Sequence, residues 1–140
     1  MTRRILLAVL AGSCLQGDDE QEIWDLFTGM AAALSAGNAE EFLGAFNHAM
    51  PGYDSLETEV TALLLENEVR SSIELISNDG DSTARAVALD WSMQIVDMQD
   101  AGSVTQRRDP VRCQLVKQKK KWRITSLAPL NFFAPPKATR

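Results

Sequence analysis

From Glu20 onward apolar side chains recur every three or four positions: Ile23, Phe27, Met30 and Leu34 form one stripe, which Trp24 and Ala31 widen. That is the helical period. Asp19, Glu20 and Glu22 then stand near the positive end of the helix dipole. The stripe stops at residues 35–38 ("SAGN"). Gly37 is a natural helix stop there, and Asn38 can cap a second, short helix with Glu41 three residues on and Phe42 and Phe46 one turn apart. "MPGYD" breaks the chain again. Asp54 or Ser55 is placed to cap a third helix whose Leu56, Val60, Leu63 and Leu64 share a face and which ends near Asn67.

After Asn67 the period falls from 3.6 to 2. "VRSSIELIS" puts Val69, Ser71, Ile73 and Leu75 on one face and Arg70, Ser72 and Glu74 on the other, and "NDGD" then signals a hairpin. Across residues 83–98, Val87, Leu89, Trp91, Met93 and Ile95 alternate with Ala86, Ala88, Asp90, Ser92 and Gln94. "QDAGS" turns into a third strand carrying Val111, Cys113 and Leu115 against Arg112 and Gln114. Pro110 implies that this strand pairs fully only beyond it. The last strand, "KWRITSLAP", sets Trp122 and Ile124 inward and Arg123 and Thr125 outward. Helices first, then a sequential antiparallel meander with one apolar face, predict an α+β layer in which three N-terminal helices cover a four-stranded sheet.

Composition narrows the function classes. A chain of 140 residues with 45% apolar side chains can build one core unaided. The formal charge is −5, and loss of Arg3 and Arg4 with a leader would take it to about −7, which argues against nucleic acid as a partner. The basic run at residues 117–123 ("KQKKKWR") reads as a solvated hairpin tip. Two cysteines, Cys14 and Cys113, and one histidine, His48, offer no metal-ligand spacing, so no metal and no cofactor is expected.

The opening "MTRRILLAVLAGSCLQGDDE" has the charged, apolar and small-residue regions of a secretory signal in order, and its apolar run is too short to span a bilayer. "AGSC" resembles a lipobox, which makes Cys14 the lipidation candidate; a retained cytosolic N-terminus is the other reading. The expected organisation is residues 1–19 as signal peptide or lipoprotein leader and tether, 20–134 as a single domain, and 135–140 as a frayed tail. The expected location is exported: cell envelope or periplasm, touching a membrane surface only through the lipid.

"EIWDLFTGMAAALSAGNAEEFLGAF", with a third helix and twisted strands ending in "KKWRITSL", resembles the nuclear transport factor 2-like superfamily, which includes the SnoaL-like polyketide cyclase relatives and the ketosteroid isomerases. The resemblance implies a cone-shaped roll in which a curved, mainly antiparallel sheet wraps the long helix around a pocket. It also implies a homodimer through the outer sheet face.

Enzymes of that superfamily use an Asp inside the cone, sometimes with a Tyr or His, to move a proton near a carbonyl. The corresponding candidates here are Asp90, Asp54 and Tyr53, with His48 just upstream. Alternation places Asp90 on the polar face, opposite Trp91, as a surface carboxylate near Arg112. Tyr53, Trp91, Trp24 and Met93 are the candidate ligand-binding residues. Phe132 and Phe133 are expected to fold back as a lid or rim, or to cover a dimer mate. The inward set is almost free of ionisable groups, which favours a non-catalytic domain that binds a small apolar molecule or a protein partner. The alternative is a small lyase, isomerase or cyclase-like enzyme.

Overall fold

The computed structural model describes the backbone of residues 8–136 and the side chains of residues 18–136. The side chain of Cys14, the start of the expected leader and the end of the expected tail lie outside the described residues. Helices α1 (Ala8–Ala36), α2 (Ala39–Leu43) and α3 (Tyr53–Glu66) come first. Strands β1 (Asn67–Gly80), β2 (Ala84–Asp97), β3 (Val104–Gln118) and β4 (Lys121–Ala128) follow, then a 3-10 turn at Leu130–Phe133.

The α1 helix extends back to Ala8, further than the apolar stripe alone indicates. Asp19, Glu20 and Glu22 therefore lie within the helix and not at its positive end. Its other end is a Schellman motif: Gly37, at φ 74°, and Asn38 donate to the carbonyls of Leu34 and Ala33. Asn38 then caps α2 by accepting from the Glu41 amide at 3.0 Å, while its own amide group donates to the Glu41 carboxylate. The third helix starts at Tyr53, with Gly52 as its N-cap, two residues before the earlier of its candidate caps. Gly52, at φ 83°, is the residue that turns the chain, and Asp54 falls in the first turn without capping. At the far end the Asn67 side chain donates to the Leu63 carbonyl.

The four strands form one antiparallel sheet in sequence order. Every second residue of β2 from Val87 to Ile95 is buried, so the inner face follows the alternation. Two details depart from the expectation. Between Leu75 and Ser77 the register slips and Ile76 bulges, leaving Leu75 49% and Ile76 57% exposed, so Leu75 does not join the inward set. The third strand starts at Val104, well before Pro110, which pairs in register with Asp90. Pairing of β3 with β4 begins only at Arg112, so Pro110 sits where its strand has a single neighbour and a missing N–H is tolerated.

The core joins α1, α2, α3 and the inner sheet face. The segment after α2 adds to it through Asn47 and Ile124, whose amides donate to the carbonyls of Ile124 and Ala45. Phe133 is fully buried within this core and not a rim residue: its ring meets Trp91 edge-on at 5.1 Å and Phe42 at 5.0 Å.

Candidate functional site

The inside of the roll is packed with aromatic rings. Trp91 is completely buried, with Phe27 at 6.3 Å and Phe42 at 6.5 Å, and its indole N–H donates to Ser71 Oγ at 2.7 Å. Met93 is equally buried. These two candidate ligand-binding residues are core packing, because Phe133 and Phe42 take the space that a ligand beside Trp91 would need.

The acid–base candidates do not converge. Asp90 lies on the outer face, where the Arg108 guanidinium grips it with contacts of 3.1, 3.0 and 2.6 Å. Its partner is thus Arg108 and not Arg112. The hydrogen bonds from Arg108 hold the Asp90 carboxyl below the usual range. A carboxylate held in its charged form by a bidentate arginine is a poor general base. Tyr53 is buried on the helix side, its ring stacked on His48 at 4.4 Å. Burial pushes its hydroxyl pKa up, and the nearby charges of Glu57 and then Asp54 add to the rise. Asp54 itself is exposed.

Two inward-facing charges lie outside the set of candidate residues. Arg85 shares the parity of Val87 and Trp91 and is 3% exposed. It donates to Asn78 Oδ1 at 2.6 Å and to the carbonyls of Asp81 and Asn78, and it stands 3.5 Å from Glu20. Counting back from Trp91 in twos reaches Arg85, so this signal was available. Arg107 has the parity of Val111 and donates to the carbonyls of Phe132 and Ala134 at 2.6 and 2.7 Å, clamping the 3-10 turn. Burial lowers its pKa. Both guanidiniums are engaged in holding chain segments together.

Open concavities lie at the margins. One of about 620 Å³ sits between the end of α1 and the start of β1, with Arg70, Glu68 and Gln94 among its polar walls. A second, of about 380 Å³, lies on the outer face beside Arg112 and is floored by Ala86, Ala88 and Ala128. The third, about 290 Å³, runs between α1 and β1. Trp24, Ile23 and Phe27 form one wall of it, and the bulge residues Leu75 and Ile76 form the other. Trp24 is thus the one candidate ligand-binding residue that borders a described apolar groove. Among the described residues no group of three acidic, His or Cys side chains could hold a metal ion, and no helix is long and apolar enough to cross a membrane.

No family model and no curated protein matches the chain. Solved structures do match. One is a candidate scytalone dehydratase from Novosphingobium aromaticivorans, at TM-score 0.73 and 12% identity over 82% of this chain and 85% of that one. Another, from the same organism, is described as nuclear transport factor 2-like with a cystatin-like fold; it matches at TM-score 0.68 and 13% identity over 89% of each chain. This chain has the nuclear transport factor 2-like fold. A nuclear transport factor 2-like protein of unknown function from Shewanella oneidensis is also similar, at TM-score 0.59 and 14% identity over 80% of this chain and 96% of that one. At such identities the likeness is one of fold, and nuclear transport factor 2-like folds carry different chemistries.

Proposed function

We propose that the chain is an exported, lipid-anchored, non-catalytic domain of the cell envelope that binds a small apolar molecule in the groove between α1 and the β1 bulge. The observation that carries this reading is the pairing of that groove with Leu75 and Ile76, 49% and 57% exposed, which present apolar surface beside Trp24. The enzyme reading has the dehydratase names of two fold relatives behind it. It needs a carboxylate and a donor facing one cavity. Asp90 lies on the outer sheet face paired with Arg108, whereas Tyr53 is buried on the helix side against His48, so the two do not share a cavity among the described residues.

Titration with an apolar fluorescent probe, anilinonaphthalene sulfonate, tests the groove. Saturable binding that Ile76→Asp and Trp24→Ala each weaken at least ten-fold supports the reading. Binding untouched by both variants rejects it. Intact mass of the protein from the membrane fraction tests the anchor: the expected chain starts at a diacylated Cys14, and an unprocessed chain in the soluble fraction rejects export. A protein partner or a second copy on the outer sheet face is the other binding mode, favoured by the concavity beside Arg112. Light scattering that gives a dimer mass for the native chain and a monomer for Arg112→Glu supports it; a monomer for both rejects it.

A further inference from the structure

We infer that the β3–β4 turn, with Lys119, Lys120 and Lys121, is the face that rests against an anionic lipid bilayer when the chain is tethered. The inference rests on the reading of Cys14 as the lipid-bearing residue.

Asp19 is 4% exposed and accepts from Lys117 Nζ at 2.8 Å. Glu22 stands 3.6 Å from the same ammonium, and Glu20 3.5 Å from Arg85. These contacts join β2 and β3 to one part of α1, so the end of the sheet from which the β3–β4 turn projects lies beside Asp19. Cys14 precedes Asp19 by five residues, a reach of at most about 18 Å in extended chain and about 8 Å along a continuous helix. A lipid at Cys14 therefore draws this end of the domain toward the bilayer and keeps the other end of α1, at Gly37, away from it.

The charge pattern agrees with that placement. The chain carries −5 overall, so an anionic surface repels the molecule as a whole and a basic projection is the part that can approach. Lys119 and Lys120 adopt φ of 51° and 70° in a two-residue turn, and with Lys121 they are exposed. Lys117 is already paired with Asp19 and Glu22. The acidic residues at the same end include Asp18 and Asp79, which are exposed, and Asp81, whose carboxylate is turned onto the amides of Thr83 and Ala84 at 2.8 and 2.9 Å. One lysine near an anionic surface strengthens binding roughly five-fold. Three are too few to hold the domain on a bilayer without a tether, but enough to choose which face of a tethered domain meets it.

Cys113 is buried and its thiol is pushed up to about 12, so it stays unreactive while the full chain is coupled through Cys14 to a maleimide-headgroup lipid. Lysine acetylation on such vesicles is then read by mass spectrometry. On phosphatidylglycerol vesicles, acetylation at Lys119, Lys120 and Lys121 is expected to slow at least five-fold relative to phosphatidylcholine vesicles. The difference should vanish near 1 M salt, where screening shortens to about 3 Å. A tethered variant with all three lysines changed to glutamine, probed by proteolysis at the remaining basic residues, should lose the preferred orientation. Equal acetylation on both lipids overturns the orientation. An unacylated Cys14 in the cell overturns the tether instead, and because the vesicles carry a chemical tether the two failures are read separately.

Discussion

Arg85 and Arg108 are both paired arginines on neighbouring strands, and burial separates their consequences. Arg85 is itself buried and satisfies two carbonyls and an amide oxygen on half-buried Asn78 and exposed Asp81. Arg85→Leu leaves those acceptors without donors and should lower stability by about 2–4 kcal/mol in urea unfolding. Arg108 is exposed, so Arg108→Ala should leave the urea midpoint nearly unchanged while the Asp90 carboxyl titration moves back up toward its ordinary range. Tyr53 is the chain's one tyrosine, so ultraviolet absorbance reads its ionisation directly. Its midpoint should lie above the usual 10.0. Because the folded-state value is raised, the stabilising contribution is complete below the unfolded value and is lost as pH rises through the folded one. Stability should therefore decline from about pH 10 upward, and less steeply in Tyr53→Phe. Asp90's outward direction could be read from its neighbours, since alternation with Trp91 decides it. Its partner could not, because the diagonal choice between Arg108 and Arg112 depends on register.

At the scale of elements, two glycines mark where chain direction changes, and they differ in what surrounds them. A Cβ at Gly37 would meet open space, so Gly37→Ala should cost about 1 kcal/mol from the left-handed backbone alone. At Gly52 the added carbon would overlap Leu130 Cδ2, so Gly52→Ala should cost more and also loosen the 3-10 turn. Comparing the two variants in thermal unfolding separates strain from clash. The helices and strands follow from period and capping residues. The β1 bulge does not, because "SIELIS" alternates acceptably in either register and only pairing with β2 forces Ile76 out. A third strand paired fully only beyond Pro110 leaves out Arg107, since its parity carries meaning only if the strand continues backward.

Across the whole molecule, Phe133 is the residue from beyond the last strand that packs into the core against Trp91 and Phe42. It closes the space that the family resemblance assigned to a pocket. Phe133→Ala should lower stability by about 3–5 kcal/mol and open an apolar cavity beside Trp91 and Phe42. Denaturant unfolding measures the loss, and new binding of benzene by the variant but not by the native chain reports the cavity.

Local pattern alone determined the three helices, the four strands, the inner face of Trp91 and Leu89 and the outer face of Asp90, because side-chain period and capping chemistry act within a few residues. Tertiary structure decided whether the cone is empty or filled, which arginine holds Asp90, and where apolar surface stays exposed. Those outcomes depend on contacts between segments far apart in the chain, such as Phe133 on Trp91 and Lys117 on Asp19, which no local period encodes.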